Sequence, residues 1–305
     1  MVPDIERAEL EFGAPVELKV VCTRMTVFLN GRFIPEAEAV VPISDRGFLY
    51  GDGLFETLRV SRSRPLWWTR HAARLQTGAE FLRIALPWSG EELRRFASEL
   101  IEKNALPECL LRVTVSRGSG ARGYSIKGAN TPTLALTLHP VPAPPASIRM
   151  ATATIRVAAH DPLAAIKSAN KLTQILARAE AEERSADEAL LLNIEGDVAE
   201  AASSNVFWIT NGTVATPPVR DGALAGVTRD VVLELCRAHQ VPTLEQQIPR
   251  AQLLGMDGVF LTNSATGIVP VSELDAQKLR QSPLVRELQQ WYQEALIAEA
   301  NASPT

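Results

Sequence analysis

The chain has 305 residues, of which 46% are hydrophobic and 22% are charged, and its formal net charge is −4. This composition is ordinary for a globular protein, and the length favours two domains over a single core. The acidic balance, without a basic stripe interleaved with aromatic residues, argues against a nucleic-acid binder, and no apolar run approaches the roughly 18 residues that a membrane-spanning helix needs.

The cysteines and histidines argue against a disulfide framework and against a bound metal. Cys22, Cys109 and Cys236 are widely spaced and odd in number, and none of them belongs to a CxxC pair. The four histidines are equally scattered, and there is no HExxH motif. The N-terminal stretch "MVPDIERAELEFG" lacks the apolar core of a signal peptide. We therefore expect a cytoplasmic protein that holds no metal.

The first half of the chain combines strands and helices, after residues 1–24, which we expect to be a peripheral extension. β-rich residues on both sides of Asn30-Gly31, a strong turn signal, predict a hairpin in "MTVFLNGRFIP". The other predicted elements are a strand pair in "LFETLRVSRSRPLWW", helices over residues 70–84 and 90–104, and the strands "CLLRVTVSRG" and "TPTLALTLHPV" around a glycine-rich loop at 117–130.

The proline-rich segment "PVPAPPAS" marks the predicted domain boundary. The elements beyond it do not alternate strictly as βαβ units, so the pattern favours α+β domains over a doubly wound sheet. They are a strand at 148–158, a helix after Lys167, a strand meander at 188–217, a helix near 228–239, the strand "GVFLTNS" and a helix at 283–299. We expect a small α+β domain at 25–140, a linker at 141–147 and a large α+β domain at 148–299.

Two of the six lysines, Lys167 and Lys171, lie four residues apart where a helix is predicted to begin. If the helix begins around Ser168, the two amines lie about one turn apart and share a face. Two partly desolvated cations lower each other's pKa, and a neutral amine can form a Schiff base, which an arginine cannot. These residues by themselves also fit an exposed pair that solvates a helix start.

Three further segments carry groups that could bind charged groups of a ligand. Glu200 lies in the small and apolar "VAEAASSNVF", where a buried carboxylate requires a cationic or protonated partner, although a water-facing glutamate is the alternative. Gly226, Val227 and Thr228 lie at a predicted helix N-terminus whose free amides suit a phosphate, although capping by Thr228 also explains them. The segment "LTNSATGIVPV" ends a strand in small residues that suit either an anion or a plain turn.

Together and in this order, the segments resemble the class IV aminotransferases, the pyridoxal-phosphate enzymes of fold type IV, over about residues 25–295. The matching segments are "SDRGFLYGDGLFETLRV", "RHAARL", "IKSANKL", "VAEAASSNVFWI", "AGVTRD" and "LTNSATGIVPV", and the spacing of 33 residues from Lys167 to Glu200 is also similar to the family's. The resemblance implies a two-domain α+β enzyme with its active site between the domains, pyridoxal 5′-phosphate as cofactor, and a homodimer. Apolar candidates for a dimer contact, which a buried core position would explain equally well, are Trp67, Trp68 and Trp88.

The resemblance also implies roles for individual residues. Lys167, which is followed by Asn170 as in the family pattern, forms the Schiff base with the cofactor and shuttles the proton. Glu200 keeps the pyridine nitrogen protonated, so that the ring acts as an electron sink. Lys171 departs from the pattern, and its role is open between tuning Lys167 and contacting the phenolate oxygen. The remaining implied contacts are Arg74, the amides of Val227 and Thr228 and the turn at Ser264 and Ala265 for the phosphate, Leu224 for a ring face, and Tyr50 and Phe55 for the substrate side.

Substrate choice is predicted to lie in the loop "SRGSGARGYSIKG", where Arg117 and Arg122 are donors suited to carboxylates, although a solvated hairpin tip has the same composition. The loop looks most like that of 4-amino-4-deoxychorismate lyase, which releases pyruvate. D-amino-acid and R-selective amine transaminases share the scaffold, and the branched-chain branch fits less well.

The function that we predict is transfer of an amino group from a D-amino acid or an R-configured primary amine to a 2-keto acid. Transfer needs only the residues already named, whereas elimination by a lyase needs a proton donor for the leaving group that the sequence does not locate. A cofactor-carrying protein without turnover is a third hypothesis, and the intact set of Lys167, Glu200 and Arg74 argues against it.

Overall fold

The computed structural model describes residues 25–302, and its strands form two sheets. The strands are β1 (Thr26–Leu29), β2 (Arg32–Pro35), β3 (Gly53–Ser61), β4 (Arg64–Pro65), β5 (Cys109–Ser116), β6 (Thr133–His139), β7 (Ile148–Val157), β8 (Glu188–Asn193), β9 (Val198–Ala201), β10 (Asn205–Thr210), β11 (Thr213–Thr216), β12 (Thr243–Glu245), β13 (Gly258–Asn263), β14 (Gly267–Leu274) and β15 (Gln277–Lys278). The helices are α1 (Arg46–Tyr50), α2 (Trp68–Leu82), α3 (Gly90–Asn104), α4 (Leu172–Glu183), α5 (Val227–Ala238), α6 (Arg250–Leu253) and α7 (Pro283–Asn301).

The first sheet has six antiparallel strands in the order β2-β1-β6-β5-β3-β4. Most side chains of β3 and β5 are buried, and one face of these strands packs against α2 and α3 around Leu54, Leu100 and Leu111. The hairpin predicted at Asn30-Gly31 is confirmed, because β1 and β2 pair across that turn. The predicted helices are confirmed too, and α3 begins with a capping box between Ser89 and Glu92.

The second sheet has nine strands, eight of them in the order β12-β11-β10-β13-β14-β7-β8-β9, with β15 paired to β14. Parallel and antiparallel pairs are mixed, as expected for an α+β domain. The predicted meander is present as two hairpins, β8–β9 and β10–β11, that lie apart in the strand order. Helices α5 and α7 pack on one face, and α4 packs on β7 and β8 through Ala177 and Ala181.

The two sheets are linked by an extended segment that was predicted to be helical. Residues 166–170 pair with the start of β3: the Phe55 amide donates to the Lys167 carbonyl at 3.1 Å, and the Ala169 amide donates to the Gly53 carbonyl at 2.8 Å. Helix α4 therefore begins only at Leu172, with Lys171 as its N-cap. The prediction that Lys167 and Lys171 share a helix face was wrong, because backbone pairing with β3 engages the Lys167 carbonyl and the Ala169 amide and keeps this segment extended.

Several predictions concern features outside the core of the fold. Residues 140–147 join the two sheets, and the division of the chain into domains at this segment stays a prediction. The extension at 1–24 lies outside the described residues. Trp68 and Trp88 pack against the core of the first sheet and Trp67 packs against Tyr292, and all three side chains are partly buried. Within residues 25–302, no helix has the length and apolar character to cross a membrane.

Candidate active site

A cavity of about 970 Å³ opens between the two sheets and is lined by residues from both. The extended segment 166–170, strand β9, the turn before α5 and the turn after β13 each contribute side chains or amides. The cavity brings together ten of the residues predicted for the site, and Lys171 also lines it. The ten are Tyr50, Phe55, Arg74, Lys167, Glu200, Leu224, Val227, Thr228, Ser264 and Ala265.

Lys167 points into this cavity from the segment that pairs with β3. Its Nζ lies 4.6 Å from the centre of the Phe55 ring. Burial, with a smaller contribution from the Arg74 guanidinium, lowers the pKa of Lys167 to about 8. Lys171 makes a lesser contribution in the same direction. With this pKa roughly a fifth of Lys167 is neutral at pH 7.4, against on the order of 0.1% for an ordinary lysine, and a nucleophilic amine requires the neutral form.

Glu200 lies on β9, and its Oε2 accepts a hydrogen bond of 2.9 Å from the Leu224 amide. Burial raises the pKa of this carboxyl to about 7, against the stabilising effects of the Leu224 amide and of Lys171. The carboxylate is thus desolvated but only partly compensated. Such a group gains most from a protonated partner inside the cavity.

The turn before α5 is held close to β10. The Asn205 side chain donates to the Leu224 carbonyl at 2.8 Å, and a Cβ on Gly226 would lie 2.0 Å from Asn205 Oδ1. Only glycine therefore fits at position 226, which is the N-cap of α5 and has no side-chain cap. The first amides of a helix lack intrahelical acceptors, so those of Val227 and Thr228 form a ready anion site.

Arg74 reaches this turn from α2, across the boundary between the two sheets. Its Nη1 donates to the Ala225 carbonyl at 2.8 Å. Its Nε and Nη2 donate to the two carboxylate oxygens of Glu56, at 2.7 and 2.6 Å. The guanidinium therefore lies beside the amides of Val227 and Thr228 in a defined orientation.

The turn after β13 contributes less than the sequence predicts. The amides of Ala265 and Thr266 both donate to Asn263 Oδ1 at 2.9 Å, so the Ala265 amide is already engaged. In the described part of the chain, Ser264 makes no hydrogen bond. Of this turn, Ser264 is the residue whose donors remain available to an anion.

Tyr50 and Phe55, which were predicted for the substrate side, line the cavity, whereas neither of the arginines predicted for that side does. Arg117 is buried, donates to both oxygens of Asp52 and to the Leu82 and Arg83 carbonyls, and does not line the cavity. The structure thus assigns Arg117 to holding the turn at Asp52, which corrects its predicted contact with substrate. Arg122 is exposed at the loop tip, away from the cavity wall.

A different arginine, Arg46, ties that loop to the cavity. It donates to the Gly123 and Ser125 carbonyls at 2.8 and 3.2 Å and to Asp52 at 2.8 Å. Tyr50 Oη accepts from the Gly123 amide at 3.1 Å, and the Arg46 guanidinium lies 4.9 Å from the Tyr50 ring centre. The loop is therefore packed behind Tyr50.

Comparison with known proteins agrees with this geometry. The family model for amino-transferase class IV matches residues 53–274. The chain is 35% identical to a candidate branched-chain-amino-acid aminotransferase of Methanocaldococcus jannaschii, over 83% of this chain and 89% of the relative, and 31% identical to the D-alanine aminotransferase of Bacillus licheniformis, over 90% and 98%. The 4-amino-4-deoxychorismate lyase structure from Pseudomonas aeruginosa superposes with a TM-score of 0.79 at 35% identity, covering 88% of this chain and 99% of that one.

The chain belongs to the class IV aminotransferases. Enzymes of this family have fold type IV and use pyridoxal 5′-phosphate, which confirms the predicted fold class, enzyme class and cofactor. The substrate is not decided by these relatives, because their names cover three activities at similar identity.

The donor set of this class IV enzyme fits its cofactor. A phosphate is bound well by free amides and a guanidinium, which the N-terminus of α5 and Arg74 would supply. The protonated pyridine nitrogen requires a carboxylate, and the buried, half-compensated Glu200 is one. The aldehyde requires an amine with a depressed pKa, and Lys167 has one.

Two residues that the sequence analysis missed lie directly behind this site. Glu56 and His71 are buried and hydrogen-bonded to each other, and Glu56 also holds Arg74. A signal for Glu56 was present: in "GLFETLRV" it occupies the strand face of Leu54 and Leu58, where a charge is out of place. His71 lies three residues before Arg74 and so faces the same side of α2.

Proposed function

We propose that this class IV enzyme is a transaminase that moves an amino group from a D-amino acid or an R-configured primary amine to a 2-keto acid. The observation that supports this most is the meeting of a low-pKa amine, a buried carboxylate and an anion site in one cavity: Lys167, Glu200 and the turn before α5. Reversible amino transfer requires these groups and no further side chain.

The residues divide the chemistry among them. Pyridoxal phosphate, when bound, supplies an aldehyde that condenses with primary amines and a ring that delocalises the electrons of a carbanion. Lys167 Nζ first anchors the cofactor and later removes the proton from the substrate α-carbon and returns one. Glu200 keeps a proton on the ring nitrogen, because its desolvated carboxylate is stabilised by that cation. Leu224 packs against a ring face, and Tyr50 and Phe55 wall off the substrate side.

Arg74, the amides of Val227 and Thr228, and the turn at Ser264 and Ala265 hold the phosphate in this proposal, with Ser264 as the free donor of that turn. Arg122 is the candidate for recognising acidic substrates. Its support is a guanidinium that makes no hydrogen bond or ion pair within residues 25–302, on a loop packed behind Tyr50.

The proposed assembly is a homodimer. Leu172 and Ile175 on α4 are each 62% exposed, and Leu176 is exposed beside them, so spacing of three and four residues places them in one apolar stripe. A second copy of the chain is the occupant that the family suggests. Light scattering should give twice the chain mass, and the Ile175→Glu variant should give the chain mass; a monomeric unmodified protein would contradict the proposal.

A lyase is the second candidate. It is favoured by the 35% identity to the Pseudomonas aeruginosa 4-amino-4-deoxychorismate lyase over 88% of this chain. A branched-chain-amino-acid transaminase is third, supported by the Methanocaldococcus jannaschii relative.

One experiment separates the three. The purified protein, loaded with pyridoxal phosphate, is mixed with 2-oxoglutarate and D-alanine, with pyruvate and either enantiomer of 1-phenylethylamine, with L-leucine and a keto acid, and with aminodeoxychorismate. We expect turnover with D-alanine or the R-amine, followed as loss of the cofactor absorbance and as product. Release of 4-aminobenzoate as the fastest reaction would establish the lyase, and preference for L-leucine would establish the branched-chain enzyme.

A further inference from the structure

We propose that Glu56, held by His71, is a positioning residue that orients and charge-balances Arg74 at the phosphate end of the cavity. This inference rests on the proposed function, since it assigns Arg74 to the cofactor phosphate. Neither Glu56 nor His71 lines the cavity, so both would act through Arg74.

Glu56 occupies a position where a charge is costly. It lies on the core-facing side of β3 between Leu54 and Leu58, and only 1% of its surface is exposed. A buried carboxylate is tolerated when it is paired and hydrogen-bonded, whereas removing one partner of such a pair is strongly destabilising. All of the partners of the Glu56 carboxylate come from one face of α2: Arg74 binds both oxygens, and His71 Nδ1 lies 2.7 Å from Oε2.

The protonation of His71 follows from this environment. The imidazole is 2% exposed, and burial lowers its pKa in spite of the neighbouring carboxylate, so the ring is neutral at physiological pH. A neutral imidazole donates from one nitrogen only, and the contact with a carboxylate requires that nitrogen to be Nδ1. His71 thus adds a hydrogen bond without adding charge, and the charges of Glu56 and Arg74 balance.

The orientation of Arg74 is then determined at three points. Nε and Nη2 are taken by Glu56, and Nη1 donates to the Ala225 carbonyl in the turn before α5. A guanidinium is planar, so these three bonds set the direction of its remaining N–H groups. Without Glu56, Arg74 would keep the Ala225 contact alone and would be free to swing about it.

Glu56 also balances the charge that Lys167 experiences. The Arg74 cation lowers the pKa of the Lys167 amine, and the Glu56 carboxylate raises it. Removing the charge of Glu56 while keeping its shape should therefore lower the Lys167 pKa further from about 8. A purely structural role for Glu56 gives no reason for a shift in this direction.

The test compares two ligands on cofactor-free protein. Pyridoxal phosphate and pyridoxal, which lacks the phosphate, are titrated into the unmodified protein and into the Glu56→Gln, His71→Phe and His71→Asn variants. We expect Glu56→Gln to weaken pyridoxal phosphate by about tenfold or more, equal to about 1.4 kcal/mol, and not to weaken pyridoxal. His71→Phe should have a smaller effect, and His71→Asn, which restores a donor, should recover most of it.

The second readout is the Lys167 pKa in cofactor-free protein, measured by NMR after ¹³C-methylation of the six lysines. Asp275→Asn is the matched control, since Asp275 also accepts from an arginine, Arg250, but lies in the second sheet and away from the cavity. We expect it to change neither affinity nor the Lys167 pKa. If Glu56→Gln does not fold, the comparison of His71→Phe with His71→Asn decides.

The outcomes distinguish this inference from the proposed function. Unmodified protein that fails to bind pyridoxal phosphate would overturn the assignment of the cavity itself. Unmodified protein that binds, with the Glu56→Gln and His71→Phe variants binding equally well, would overturn only the role of Glu56. An equal loss of affinity for pyridoxal and for pyridoxal phosphate would also overturn it, because the substitution would then act on a part of the ligand other than the phosphate.

Discussion

The two ends of the cavity are built differently. At the cofactor end, the carboxylate of Glu200, the guanidinium of Arg74 and the turn at Leu224 are each held by hydrogen bonds of 2.6–2.9 Å to groups of the fold. At the end where the substrate is proposed to bind, Tyr50 is backed by a loop whose tip faces solvent, with Tyr124 88% exposed. One end is constrained by strands and helix termini, and the other by a surface loop.

This difference explains why the reaction class can be stated and the substrate cannot. Chemistry common to a family needs groups whose position is set by regular structure, whereas specificity is carried by loops, which vary freely between relatives. Relatives with three different activities share the fold at similar identity, in accordance with that division. If the two ends are independent, substitutions at one end should leave the chemistry of the other unchanged.

The largest effect should come from replacing Lys167 with alanine. The amine is both the anchor and the acid–base group, and positioned acid–base catalysis of this type contributes roughly 10²–10⁴-fold. In a single-turnover measurement, the rate at which D-alanine decreases the cofactor absorbance should fall by at least that factor. Lys171→Ala is the matched control, since it removes a neighbouring lysine from the same cavity; a comparable loss in both variants would contradict the assignment to Lys167.

Glu200→Gln should follow, with a loss in turnover of about 10²-fold, because a neutral amide cannot stabilise a protonated ring nitrogen as a carboxylate does. Cofactor affinity should change much less. Glu188→Gln provides the comparison: it is the same substitution at a buried glutamate of the adjacent strand β8, bound to Ser203. A threefold or smaller decrease in kcat for Glu200→Gln would contradict the proposal that Glu200 stabilises the protonated ring nitrogen.

Much of the fold and of the cofactor end was predictable, since both depend on local signals. The turn at Asn30-Gly31 and the capping of α3 each depend on residues within three positions of one another in the sequence. The order of the motifs indicated the family. The start of α4 was missed because residues 166–170 pair with β3, which is more than 100 positions earlier in the chain. Helical spacing alone carries no information about such a distant partner.

The substrate end was predicted less well for a related reason. Arg117 and Arg122 lie in the same loop and look equivalent in the sequence, yet Arg117 turns inward to Asp52 and Arg122 stays exposed. Glu56 and His71 were missed because their importance appears only when β3 and α2 are packed together. The residue types in the sequence predicted which functional groups were available, and tertiary packing determined which of these side chains lie at the cavity.

Arg122→Ala tests the substrate end. We expect the KM for pyruvate and for D-alanine to rise about tenfold, or about 1.4 kcal/mol, with kcat nearly unchanged, because a carboxylate would lose one guanidinium contact. The KM for R-phenylethylamine, which has no carboxylate, should not change. Lys127→Ala removes another exposed cation of the same loop as a control. Equal KM changes for the amine and the acids would show that the loop does not read carboxylates.

The smallest effect should come from Lys171→Met, which addresses why this chain has a second lysine beside Lys167. Burial, Arg74 and Lys171 all lower the pKa of Lys167, and Lys171 has a lesser share than either of the others. Capture of pyridoxal phosphate by cofactor-free protein needs the neutral amine, so its rate should rise with pH through a midpoint near 8. Removing a nearby cation makes protonation of Lys167 easier, so the midpoint should move to higher pH. An unchanged midpoint, with slower turnover, would instead place Lys171 in direct contact with the cofactor.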